Sequence, residues 1–100
     1  MAREIPVADA LDVVAAGGII LDVREPVEVA GGTIPGAIHI PLGELLDRFG
    51  ELDVARTVAC LCRSGNRSAM AADFLERNGF DAVNLAGGIL AWTGETAPAD

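Results

Sequence analysis

Cys62-Arg63-Ser64-Gly65-Asn66-Arg67, closed by Ser68, is the segment from which the rest of the chain can be read. It follows Thr57-Val58-Ala59-Cys60-Leu61, a β-branched and apolar run with the character of a strand. It leads into an alanine-rich stretch of helical period, from about Ser68 to Asn78. Strand, tight loop and helix together make an anion site: loop N–H groups curl around one centre, and the helix N-terminus adds partial positive charge. A thiol at the mouth of such a loop ionises more readily than a free one, because the charge it acquires is stabilised there. Cys62 is therefore read as a nucleophile.

The same alternation extends to both sides. Ile19-Ile20-Leu21-Asp22-Val23 is a continuous apolar run between Gly17-Gly18 and Glu25-Pro26, the pattern of a strand covered on both faces. Before it, Arg3-Glu4-Ile5 reads as a short strand and Pro6 as a first helical residue. Val7, Leu11, Val14 and Ala15 then supply the apolar face of a helix. Pro26 opens a short helix closed by Gly31-Gly32, and Ala37-Ile38-His39-Ile40 is a third strand stopped by Pro41. Leu42, Leu45, Leu46 and Phe49 continue at helical spacing to Gly50.

Beyond the loop, Ala71, Phe74 and Leu75 share the inner face of the long helix, and Asn78-Gly79-Phe80 fits a left-handed cap. Asp81 to Leu85 is the last strand, after which Ala86-Gly87-Gly88 turns into a short helical piece ending at Ala91-Trp92. Strands alternating with helices through short loops predict an α/β fold with a mostly parallel sheet. The expectation is one domain over 1–100, with its core at about 4–93 and the tail 94–100 frayed.

Composition narrows the function. Hydrophobic residues make up 51% of the 100 positions, which excludes a disordered chain, and aromatics only 4%, so aliphatic side chains must build the core. The net charge is −8 and all seven cations are arginines, a surface that repels nucleic acid and anionic membrane. Three of those arginines, Arg24, Arg63 and Arg67, lie in segments expected to converge, so a positive pocket on a negative body would select small anions. The apolar run from Val13 to Leu21 is too short to span a bilayer, and early charges interrupt any secretory segment. The cytoplasm is the expected compartment. Two cysteines and one histidine (Cys60, Cys62, His39) make neither a disulfide framework nor a zinc site, so no metal or cofactor is expected.

Four motifs together resemble a single-domain rhodanese: Leu21 to Pro26, Gly32 to Pro41, Cys62 to Ser68, and Leu85-Ala86-Gly87-Gly88-Ile89 with Ala91-Trp92. The resemblance runs from about Glu4 to Trp92, in the right order and spacing. It implies a five-stranded, mainly parallel sheet with helices on both faces. It also implies transfer of sulfane sulfur through a persulfide on Cys62, with Arg63, Ser64, Gly65, Asn66, Arg67 and Ser68 as the substrate-binding loop. Thr33 departs from the pattern, since many members carry histidine there; the position is expected to be structural.

On this reading the Cys62 thiolate attacks the outer sulfur of a thiosulfate-like donor, and a nucleophile such as cyanide, glutathione, thioredoxin or a sulfur-carrier protein removes it. Arg63 and Arg67 are candidate contacts for the donor's oxygens; the alternatives are a solvated rim for Arg63 and a structural clamp on the loop or on a carboxylate for Arg67. Gly65 supplies a backbone conformation closed to other residues, and Asn66 and Ser68 are candidate loop-stabilising or capping groups. Asp22 and Arg24, at the end of the second strand, read as a buried ion pair or hydrogen-bonded brace under the loop rather than as catalytic groups. His39 and Trp92 read as structural, and Cys60 as a small hydrophobe rather than a resolving thiol. Two other readings compete. Four residues separate Cys62 from Arg67, one fewer than in the cysteine-phosphatase signature, and this disfavours a cysteine phosphatase or arsenate reductase. A non-catalytic binding module is the other; such modules often lack the loop cysteine that is present here.

Overall fold

The computed structural model describes residues 2–99. Five strands, β1 (Arg3–Pro6), β2 (Ile19–Asp22), β3 (Ile38–His39), β4 (Val58–Leu61) and β5 (Ala82–Ala86), form one sheet in the order β1-β5-β4-β2-β3. Every pair is parallel, so connections must cross a face of the sheet, and helices α1 (Ala10–Ala15), α2 (Pro26–Val29), α3 (Leu42–Arg48) and α4 (Asn66–Arg77) lie in those crossings. The expected fold class holds.

Side chains alternate across each central strand and build a core on either face. Ile19, Leu21, Val58 and Cys60 meet Leu45 of α3 and Ala71, Ala72 and Leu75 of α4. On the opposite face Ile20, Ala59, Leu61, Val83 and Leu85 meet Val7 and Ala10, with Trp92 packed against them. β4 and β2 are central and buried along their whole length, which explains their unbroken apolar sequences.

Three local expectations are corrected. Pro6 ends β1 rather than starting a helix, and the chain first takes a 3₁₀ turn at Val7–Asp9. With about three residues per turn, that start brings Val7, Ala10 and Val13 onto the inner line. Leu11 and Val14 are left 47% and 42% exposed. In α3, Leu45 is buried while Leu46 falls off the inner face. Finally, Ala97 is not frayed: it exchanges two backbone hydrogen bonds of 2.9 Å with buried Thr33 in an antiparallel bridge. Asp100 lies outside the described residues.

Candidate active site

Cys62 follows β4 at its carboxyl end, where open α/β sheets place their ligands. Its sulfur sits at the start of α4, which begins at Asn66, two residues before the expected position. Gly65 is the N-cap and has φ +109°, a left-handed conformation that a side chain would strain. That turn aims the Gly65 N–H at Cys62 Sγ, 3.1 Å away. Ser68, one turn into the helix, is wholly buried and brings its hydroxyl to 3.2 Å from the sulfur. Gly65 has no side chain with which to cap α4, and its own N–H is taken up by the Cys62 sulfur.

Burial pushes the Cys62 thiol up. The Ser68 hydroxyl and the backbone N–H groups of Ser68, Gly65 and Ser64 outweigh that, so its pKa lies below the ordinary thiol value. Cys60, two residues back on the same face, has none of these donors: burial, with Cys62 beside it, pushes its pKa up to about 12.

The mouth of the loop rests on the turn after β5. Ile89 N–H donates to Cys62 O at 2.9 Å and Leu90 N–H to Arg63 O at 3.1 Å. A Cβ on Gly88 would overlap both carbonyls, lying 2.6 Å from Cys62 O, and Gly88 also has φ +59°. This is the physical requirement behind Gly87-Gly88. Asn84, on β5 beside Cys60, ties the loop from below: its Nδ2 donates to Gly65 O (3.0 Å) and to Glu4 Oε2 (2.7 Å), and its Oδ1 lies 2.6 Å from Ser68 Oγ.

The three arginines do not make an open positive pocket. Arg24 and Asp22 are buried and joined by Nη2–Oδ2 and Nε–Oδ1 hydrogen bonds of 2.8 and 3.0 Å, with Arg24 also donating to Gly32 O and Thr33 Oγ1 to Asp22 Oδ2. The pair is buried and Thr33 is bonded to it, but among the described residues no hydrogen bond joins it to the Cys62 loop. His39 Nε2 donates to Arg24 O at 2.7 Å. Arg67 forks onto the Glu28 carboxylate of α2 at 2.6 and 2.8 Å, the clamp rather than the free oxygen-binding group. Only Arg63, exposed at the rim, has a guanidinium without a hydrogen-bond or ion-pair partner among the described residues. Ser64 is exposed beside it, and the exposed Asn66 side chain has no hydrogen-bond partner among the described residues, so it does not cap α4.

The sequence model of the rhodanese-like domain matches residues 7–95. The chain belongs to that family. Among its relatives, the rhodanese-like domain is 44% identical over 79 residues to Bacillus subtilis YtwF, provisionally named a sulfurtransferase, covering 79% of this chain and 77% of that one. It is 40% identical over 81 residues to a sulfurtransferase of Allochromatium vinosum, covering 80% and 76%. A rhodanese-related protein from Thermoplasma volcanium superposes with a TM-score of 0.88 at 37% identity, over 95% of this chain and 97% of that one.

Two participants in the rhodanese-like site were not found from sequence. Asn84 carried a signal: a polar residue inside an apolar strand next to β4 must be hydrogen-bonded to something once buried. Glu28 carried none, because it meets Arg67 from 39 positions away. Among the described residues no three His, Cys, Asp or Glu side chains cluster to hold a metal, and no helix is long and apolar enough to cross a membrane.

Proposed function

We propose that this domain is a sulfurtransferase that carries sulfane sulfur on Cys62, acting as one unit over its core of about 4–93. The observation that carries the reading is the cup around Sγ: a buried sulfur facing the Gly65 N–H and the Ser68 hydroxyl at the end of a 12-residue helix. Those donors favour the anion, so the nucleophile forms without a neighbouring general base. The thiolate attacks the outer sulfur of a thiosulfate-like donor; an S–S bond forms to Cys62, and sulfite leaves with the electron pair of the bond that breaks. An acceptor nucleophile then attacks the outer sulfur of the persulfide, and Cys62 departs as the thiolate. Arg63 is the available cation for the donor's oxygens, with Ser64 beside it. Gly65 and Ser68 hold the sulfur, Arg67 fixes the helix that carries them, and Asp22 and Arg24 support the neighbouring strand end.

Cellular thiols of the kind abundant in cytoplasm (glutathione, thioredoxin or a sulfur-carrier protein) are the proposed acceptors. The engagement of Arg67 by Glu28 weighs against phosphoryl transfer, which would need that guanidinium on the substrate. The test is turnover of thiosulfate with cyanide or a dithiol, with the intact mass read after donor treatment alone. One added sulfur, mapped to Cys62 and lost in Cys62→Ala together with turnover, supports the reading. Loading on Cys60, or equal negligible turnover in wild type and Cys62→Ala, overturns it.

A further inference from the structure

The Ser68 hydroxyl has two acceptors within reach and one proton to give. Asn84 Oδ1 lies 2.6 Å from Ser68 Oγ and Cys62 Sγ lies 3.2 Å from it. The orientation of the Asn84 amide is fixed by its other partners. Gly65 O and the Glu4 carboxylate can only accept, so both Nδ2 hydrogens point to them and Oδ1 must face Ser68. While Cys62 is a thiol, all three groups are satisfied in sequence: S–H donates to Ser68 Oγ and Ser68 O–H donates to Asn84 Oδ1. Among the described residues no buried side-chain nitrogen or oxygen lacks a partner. Once the thiol proton leaves to solvent, the sulfur has nothing to donate. Ser68 can then stabilise it only by turning its proton away from Asn84, whose wholly buried carbonyl is left bare.

We propose that Ser68 and Asn84 form a one-proton switch under Cys62, in which the serine hydroxyl bonds to Asn84 Oδ1 beside a neutral sulfur and turns to Sγ beside an anionic one. Asn84 is thus a positioning residue that restrains the nucleophile rather than promoting it. The inference rests on Cys62 being the ionising sulfur of the function proposed above. The charged and titratable groups around that sulfur are Cys60 on β4, Arg63 and Arg67 on the loop and α4, Glu25 and Glu28 on the α2 side, and Glu4 on β1 behind Asn84. Cys60 titrates near 12, Glu28 near 2, and Arg67 is raised, so none of these three changes charge while Cys62 ionises.

The experiment is the pH dependence of iodoacetamide alkylation at Cys62, assigned by peptide mass, which needs no turnover. Asn84→Ala removes the competing acceptor and lowers the alkylation midpoint by about half a pH unit or more. Ser68→Ala raises it, and in that background Asn84→Ala no longer lowers it. A merely structural role for Asn84 has the opposite sign, because a loosened cup returns the midpoint toward that of a free thiol. A raised or unmoved midpoint in folded Asn84→Ala therefore overturns the switch. Should that variant not fold, the wild-type protein decides: the Asn84 side-chain carbonyl ¹³C resonance shifts with the Cys62 midpoint, and a resonance flat through the titration overturns the proposal. Failure of the thiosulfate assay with these shifts present would remove sulfur transfer and leave the switch standing.

Discussion

Arg67 holds both carboxylate oxygens of Glu28, at 2.6 and 2.8 Å, and so ties the helix that begins under the sulfur to the short helix α2. The Arg67 hydrogen bonds, helped by the Glu25 backbone, outweigh burial and hold the Glu28 carboxyl at about 2, below its ordinary 4.5. Because the folded value is depressed, the stability this pair contributes is complete above pH 4.5 and is lost as pH falls toward 2. Glu28→Gln is expected to cost about 0.5–1 kcal/mol at pH 7 and to cancel with pH over that acid window. Urea midpoints at neutral pH and at pH 3 check this; an equal deficit at both would contradict it.

Alkylation should separate the two cysteines. Cys62 reacts with a midpoint below the ordinary thiol value of 9.0, while Cys60, which lacks the donors around Cys62 and is pushed up to about 12, stays unmodified in the native protein. Cys60→Ala keeps sulfur transfer and loses about 1 kcal/mol of stability through a small core void. Mass-mapped labelling and thermal melts test both halves.

Asp22→Ala should be among the most damaging substitutions away from the sulfur. It leaves the guanidinium of buried Arg24 without its carboxylate, and leaves the Thr33 hydroxyl without its acceptor. Breaking a buried pair in this way costs about 3–5 kcal/mol, whereas breaking the exposed, solvent-screened pair of Arg48 and Glu44 should cost far less. Chemical denaturation of the two variants gives the ratio directly.

Gly88→Ala should disrupt the loop itself. The new methyl meets the carbonyls of Cys62 and Arg63, and the residue must keep a positive φ. A loss of about 2 kcal/mol or more is expected, together with a Cys62 alkylation midpoint moved toward a free thiol. Gly43, with open space around its Cβ position, is the control: Gly43→Ala in α3 should be neutral or stabilising.

The sequence was informative where one local pattern determined the outcome. The runs Ile19–Asp22 and Val58–Leu61 could be read as strands because burial on both faces leaves no polar alternation, and the place of Cys62 between strand and helix was legible because strand, glycine loop and helix are contiguous. Where partners come from distant segments, the reading stopped. Arg67 and Arg63 look alike in sequence, and only the arrival of Glu28 makes one a clamp and leaves the other free. The phase of α1 was missed because a 3₁₀ turn and a helix differ by a fraction of a residue per turn. Ala97 gave no warning of its bond to Thr33, since a bridge made by backbone atoms is compatible with almost any side chain.

The dependence of the loop on β5 and the turn behind it has a consequence for synthesis. On a ribosome Cys62 emerges well before Asn84, Gly88 and Ile89, the residues that hold its loop shut and accept or donate around it. A nascent chain extended only through α4 therefore carries a thiol with its helix but no lid, open to whatever oxidant or electrophile it meets. Chemical maturity of the sulfur comes only when the last strand has docked.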